Sequence, residues 1–209
     1  DCMEAMKAMP DKAYELAICD PPYGIGIVDQ FKKTIQSGSS MFNLSKGITG
    51  NGQWDHKIPD GEYFSELFRV SLNQVIFGGN YFLEYLHNTR CFLVWDKMNG
   101  TNPMADAELA WTSFAGSVRM FRMHHFSAGY DAKIHPTQKP VRLYEWILKN
   151  YAKPGDKILD THGGSCSIAI ACDIMGFDAD IWEIDADYYK AAVERFERHK
   201  QQTVLEFST

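Results

Sequence analysis

The chain has 209 residues, a net charge of −6 and 45% hydrophobic residues, enough for one domain with a full sheet-and-helix core. No apolar run approaches the roughly 20 residues that span a bilayer. The start, DCMEAMKAMPDKAYE, carries no signal peptide, although a further piece of chain could precede it. Five cysteines (Cys2, Cys19, Cys91, Cys166, Cys172), with no C-x-x-C pair, argue against a disulfide framework or zinc ribbon and for a reducing cytosol.

In chain order, residues 15–20 form a short apolar strand ending in an acid. Residues 24–54 are Gly/Ser-rich and weakly patterned, and a connection of that length is expected to be functional or mobile. Residues 60–72 have helical spacing, with Tyr63, Phe64, Leu67, Phe68 and Leu72 on one side. A strand over 74–77 ends in Gly78-Gly79-Asn80, and a short helix over 81–86 follows. Residues 91–95 form a third strand, ending at Asp96. Residues 107–114 and 117–123 alternate as an antiparallel hairpin would, joined by Ala115-Gly116. A helix over 140–151 starts with proline, and strand 157–159 leads to a small-residue helix over 165–175. Strand 180–183 and helix 186–200 complete the pattern. Such alternation predicts an α/β fold: a mostly parallel sheet with helices on both faces and an antiparallel hairpin at one edge. Residues 1–209 read as one domain, with neither repeats nor a separate recognition domain.

Charge is unevenly spread. Residues 31–57 hold Lys32, Lys33, Lys46 and Lys57 against Asp55 alone. Residues 117–142 hold Arg119, Arg122, Lys133, Lys139 and Arg142 against Asp131, with His124, His125 and His135 besides. A dipolar chain can present a basic face to phosphates despite an acidic total. Charge by itself leaves a solvated surface with scattered lysines equally open.

In an open parallel sheet, ligands bind at the carboxyl ends of strands, and two strand ends stand out. "LAICDPPYGIG" leaves a buried strand through Asp20, Pro21, Pro22 and Tyr23. "KILDTHGGSCSIAIAC" ends a strand in Asp160, turns at Gly163-Gly164 and opens a helix near Ser165, so that a ligand can approach backbone and helix N-terminus closely. This is not G-x-G-x-x-G, which disfavours a dinucleotide. The next strand ends in Glu183, placed to accept hydrogen bonds from ribose hydroxyls. A nucleoside cofactor without a pyrophosphate fits, and S-adenosylmethionine is the candidate. Taken singly, each motif also fits a strand–turn–helix corner with no ligand.

Together, Asp20-Pro21-Pro22-Tyr23 and Asp160-Thr161-His162-Gly163-Gly164-Ser165 resemble the catalytic and cofactor motifs of amino-group DNA methyltransferases. "IHPTQKPVRLYEWIL", "WEIDADYY", "FGGNYF" and "VWDK" are similar to further segments of that family, so the likeness covers nearly the whole chain. The catalytic motif comes first and the cofactor motif 140 residues later, an order similar to the β class of these enzymes. The resemblance implies a Rossmann-like methyltransferase fold of permuted motif order. It implies Asp20, Pro21, Pro22 and Tyr23 as catalytic residues, and a cofactor site of Asp1, Cys2, Asp20, Thr137, Lys139, Asp160, His162, Gly163, Gly164, Ser165 and Glu183. Family members commonly carry Phe where His162 stands.

The chemistry follows from the amine. An exocyclic amine is a poor nucleophile because its lone pair is delocalised into the ring. Asp20 and the Pro21 carbonyl can pull it toward tetrahedral geometry, the two prolines fixing φ. Tyr23 offers a stacking face worth roughly 1–3 kcal/mol. A paired base cannot reach such a site, so base flipping out of double-stranded DNA is implied. Methylation at cytosine C5 would need a cysteine nucleophile in a Pro-Cys setting, which is absent, and Cys19 should point away from Asp20. Asp at the first motif position favours adenine N6. Cytosine N4 is the alternative, RNA or protein-amide methylation is less favoured, and a catalytically silent DNA-binding subunit stays open through His162. Residues 24–54 and 99–134 are left to read DNA, through Lys32, Lys33, Arg119, Arg122 and His124, and a homodimer is compatible with the class. His124-His125 have no companion ligands, so no metal site is expected. Such a restriction-modification type enzyme would be cytoplasmic, of bacterial or phage-like origin.

Overall fold

The computed structural model describes residues 1–30, 53–100, 105–124 and 133–206. Lys32, Lys33 and much of the long connection after Gly24 lie outside the described residues, as does His125. One seven-stranded sheet organises the molecule. Its strands are β1 (Tyr14–Cys19), β2 (Ser71–Phe77), β3 (Leu93–Asp96), β4 (Ala107–Thr112), β5 (Arg119–Arg122), β6 (Lys157–Asp160) and β7 (Asp178–Ile181), in the spatial order β5-β3-β4-β2-β1-β6-β7. β1 pairs in parallel with β2 and β6, β6 with β7, and β3 with β5, whereas β4 is antiparallel to both its neighbours. A single strand is therefore reversed.

The antiparallel element has different partners from those the pattern suggested. Residues 107–112 pair with β2 and β3, and 119–122 do not turn back onto them but cross to the far side of β3. Alternation reports that a strand has two unlike faces and says nothing of which strand lies beside it. Gly116 helps the crossing chain pass, since a Cβ there would come within 3.1 Å of Cys91 Sγ.

Helices cover both faces. On one, α1 (Cys2–Ala8) and α2 (Gly61–Val70) enclose Met6, Tyr63, Phe64, Leu67, Val70, Ala17, Cys19 and Ile76. On the other, α3 (Val141–Tyr151) and α4 (Ser167–Met175) bury Leu143, Ile147, Leu148, Ile168 and Ala171 against Leu16, Ile18, Val75 and Ile158. α5 (Ala186–Glu206) follows β7 and contributes Tyr188 and Ala192 to the interior. Asp60 caps α2 by accepting from Tyr63 N at 3.1 Å. α2 stops two residues before the periodicity does. Ser71 turns extended and its Oγ donates to the Leu67 carbonyl at 2.5 Å, closing the helix as β2 begins, so Leu72 is an exposed strand residue. The helix expected over 81–86 is absent: a short 3-10 turn, Gly79–Tyr81, comes first and residues 82–86 are non-helical.

Because six strands run one way, their carboxyl ends share an edge. Asp20, Gly78, Asp96, Asp160 and the residues after Ile181 collect there, and reversed β4 brings its first residues, including Glu108, to the same edge. Among the described residues, no helix is long and apolar enough to cross a membrane.

Candidate functional site

Asp20 follows β1, where the alternation that buries Leu16 and Ile18 on the α3–α4 face turns its side chain away from Cys19, which packs on the other face. Both oxygens of its carboxylate are engaged. Tyr23 Oη donates to Oδ1 at 2.6 Å, and Lys139 Nζ donates to Oδ2. Lys139 is 3% exposed and also lies 3.2 Å from Glu108 Oε2, while Lys97 Nζ reaches Glu108 Oε1 at 2.6 Å. The result is a chain of alternating charges, Asp20–Lys139–Glu108–Lys97. Burial by itself would drive Lys139 toward its neutral form, but the two carboxylates outweigh it and hold the ammonium above its usual value. Burial also opposes ionisation of Glu108, and Lys139 and Lys97 overcome it and hold the carboxyl low. Burial pushes the Asp20 carboxyl up, with Lys139 pulling the other way.

The Tyr23 ring is set by what lies beneath it. Gly78 has φ +67, and a Cβ there would fall 2.2 Å from Tyr23 Cε1. Tyr81 stacks on the ring at 4.8 Å and 12°, and Phe82 meets it edge-on. Gly79 is equally constrained, because a Cβ would stand 2.5 Å from Trp111 Cβ. The Gly78-Gly79 pair of "FGGNYF" is thus a floor for Tyr23 and a bed for Trp111. Asp55, read in the sequence only as one acid among lysines, is buried beside the segment after β1 and accepts from the backbone N–H groups of Tyr23 and Gly24.

A second group lies across β6. Asp160 is 1% exposed and accepts from His162 N at 2.9 Å, and burial pushes its carboxyl up to about 8. Glu183 accepts from Gly164 N at 2.6 Å and from Asp185 N at 2.8 Å, which fixes its carboxylate over the glycine turn. Gly163 has no room for a side chain, a Cβ meeting Ile181 Cγ2 at 2.8 Å, and Gly164 has φ +51. Cys166, also at positive φ, opens α4. His162 hydrogen-bonds Thr161 Oγ1 at 2.9 Å and meets the Tyr63 ring edge-on at 5.3 Å, and burial holds it near pKa 4. The imidazole is therefore a neutral, packed ring. It fills an aromatic-sized space against Tyr63.

The remaining expected residues divide. Thr137 Oγ1 is 3.1 Å from His135 Nδ1, so it braces that buried ring, which burial and then Lys139 hold near pKa 3. Ser165 and Ser167 hydroxyls lie 3.2 Å apart, and the Lys139 carbonyl accepts from Ser167, tying the "HPTQKP" segment to the start of α4. Asp1 caps α1 through Met3 N at 2.8 Å, and Cys2 packs under the α1–α2 layer, where Asp160 is felt electrostatically. Arg122, paired with Asp96 at 3.3 Å, stands at the carboxyl end of β5 on the site's edge, whereas Arg119 stands at the strand's other end. His124 follows at the end of the same described segment. Pairing with Asp96 does not use up the Arg122 charge, since its side chain is 68% exposed.

A family model described as DNA methylase matches residues 90–194. The Type II methyltransferase M.HpaI of Haemophilus parainfluenzae is 22% identical over 242 residues, covering 94% of this chain and 72% of that protein. Among solved structures, the M1.HpyAVI–SAM complex aligns with a TM-score of 0.55 at 20% identity, over 88% of this chain and 89% of that one. The cytosine-N4-specific PvuII DNA methyltransferase aligns with a TM-score of 0.56 at 14% identity, over 94% and 84%.

Proposed function

The chain belongs to the DNA methylase family whose model it matches, and from that premise we propose that it transfers a methyl group from S-adenosylmethionine to adenine N6 in double-stranded DNA. The observation that carries the reading is the engaged Asp20 carboxylate beside a Tyr23 ring on a glycine floor, with Glu183 fixed over a glycine turn on the same sheet edge.

The donor set fits the methyl donor. Each Glu183 oxygen takes one backbone N–H and keeps acceptor capacity for a ribose hydroxyl. Gly163 packs against Ile181 with no room for a side chain and Gly164 takes a positive φ, which sets the tight turn that Glu183 spans. When bound, S-adenosylmethionine supplies an electrophilic methyl group. This chain's residues prepare the acceptor. Tyr23 stacks on the base, and Asp20 and the Pro21 carbonyl accept from the amine N–H groups. The amine displaces the Tyr23 hydroxyl from Asp20 Oδ1, while Lys139 holds Oδ2 in place. Positive charge growing on nitrogen is stabilised by Asp20, which receives the proton.

Asp at the first motif position supports adenine over cytosine. One domain carrying both sites, acting in the cytoplasm and reading DNA through Arg122, His124 and the lysines of the long connection, completes the proposal. Incubating DNA from a methylation-free host with labelled cofactor, then digesting to nucleosides, tests it. N6-methyladenine is expected. Recovery of N4-methylcytosine alone would reassign the base, and binding without transfer would make the chain a silent DNA-binding subunit.

A further inference from the structure

The Gln53–Asp55 turn carries two neighbouring side chains that reach different sides of the site, and neither belongs to a motif of the sequence. Asp55 is 2% exposed. Its carboxylate accepts three backbone N–H groups from the segment after β1: Tyr23 N at 2.9 Å and Gly24 N at 3.0 Å on Oδ1, and Ile27 N at 2.9 Å on Oδ2. Its carbonyl takes a fourth, from Gly26 N at 3.0 Å. Trp54, one residue earlier, lies against His135 with ring centroids 5.1 Å apart. His135 in turn meets Tyr188 at 4.3 Å and borders Gly164, where a Cβ would be 3.8 Å from its ring. One turn therefore joins the segment bearing Tyr23 to the glycine turn after β6.

We propose that Asp55 is a positioning residue for methyl transfer, fixing the Tyr23–Ile27 backbone so that the stacked base sits at a set distance from the methyl donor. The proposal rests on the methyltransferase reading above. Gly24 and Gly26 both have positive φ (+70 and +62), so residues 23–26 are neither strand nor helix, helical backbone starting only at Ile27, and they take their shape from what their N–H groups bind. Hydrogen bonds to an ionised acceptor are roughly twice as strong as neutral ones. A carboxylate also has acceptor sites enough for three donors, whereas an amide turns an N–H2 group toward one of them. Removing the acceptor frees Tyr23 to shift while leaving the chemistry of every side chain that contacts substrate unchanged. A shift of about 1 Å in a reacting group can cost about 100-fold in rate.

The test compares the wild-type chain with Asp55→Asn and Asp55→Ala, using labelled cofactor and DNA from a methylation-free host. For Asp55→Ala, kcat is expected to fall about 100-fold, and for Asp55→Asn, which keeps one acceptor oxygen, about tenfold. KM for DNA and the calorimetric cofactor dissociation constant should stay within about threefold of wild type, since neither cofactor acid is disturbed. Asp55→Asn leaves one buried N–H facing an amide N–H2 and should melt a few degrees below wild type, far less than the alanine variant, so the case stands even if the alanine variant does not fold. Unchanged kcat in Asp55→Asn overturns the positioning role. So does a parallel loss of kcat, cofactor binding and melting temperature, which marks a merely structural staple. If the wild-type chain itself transfers nothing to DNA, the methyltransferase reading fails, and the positioning role that rests on it fails too.

Discussion

Asp20 and Lys139 form the contact on which the rest of the site depends. Asp20→Asn keeps the shape and removes the charge, so kcat should fall at least 10²–10³-fold, the order seen when one transition-state stabiliser is lost. Single-turnover transfer well below the melting temperature checks this; the melting temperature should fall as well, because buried Lys139 keeps only Glu108 as a carboxylate partner. Lys139 separates two readings. As a contact to a cofactor carboxylate, its loss would weaken cofactor binding and little else. In the structure it is buried between Asp20 and Glu108. Lys139→Met should therefore cost roughly 3–5 kcal/mol in denaturant unfolding, the range for leaving a buried charge without its partner. A variant that loses cofactor affinity at unchanged stability would restore the first reading.

At the scale of elements, the turn after β2 and the start of α2 make separable predictions. Gly78 stands at φ +67 under the Tyr23 ring. Gly78→Ala should cost about 1–2 kcal/mol for the left-handed backbone, and should displace Tyr23 as well, so activity falls further than stability explains. Measuring transfer well below the melting temperature isolates that second effect. Asp60→Ala removes the α2 cap and should cost about 1 kcal/mol with kcat unchanged, because α2 packs on the face away from Lys139. A denaturant titration with activity at low temperature distinguishes the two cases. Full activity in Gly78→Ala would mean that the glycine serves the turn alone.

For the whole molecule, buried ionisable groups set a pH optimum of stability. His162 and His135 are held at about 4 and about 3, below the usual 6.5. Their folded forms bind fewer protons than the unfolded chain, so their contribution is complete above 6.5 and is lost as pH falls below it. Asp160 is held at about 8, above the usual 3.8, so its folded form binds more protons, and its contribution is lost as pH rises through 8. Two groups raise stability up to 6.5 and one lowers it up to 8. The melting temperature should peak near pH 6.5, and Asp160→Asn should flatten the alkaline side. A DNA face makes a further expectation. Arg122 stands on the site's edge and Arg119 at the far end of β5, so Arg122→Ala should reduce the slope of log affinity against log salt by about one, and Arg119→Ala by less. Equal slopes for both would move the DNA off this edge.

How much of this was legible follows from the range of each cause. The Asp20 and Asp160 strand ends, the glycine turns and Glu183 are encoded within a few residues of themselves, because an acid after an apolar run and a paired glycine each announce a local geometry. The helix over 141–151 and the small-residue helix after Gly164 were readable for the same reason. Pairing was not, since the alternation of 107–112 and 119–122 fits either a hairpin or the observed insertion of β4 between β2 and β3. Asp55 and Glu108 were invisible because their partners, Tyr23 to Ile27 and Lys139, lie some 30 residues away in the chain. The sequence by itself determined which chemical groups stand at the strand ends and what they resemble. Only the tertiary structure decided which charges meet, since ion pairing and backbone anchoring depend on chain segments that the sheet, not the local sequence, brings together.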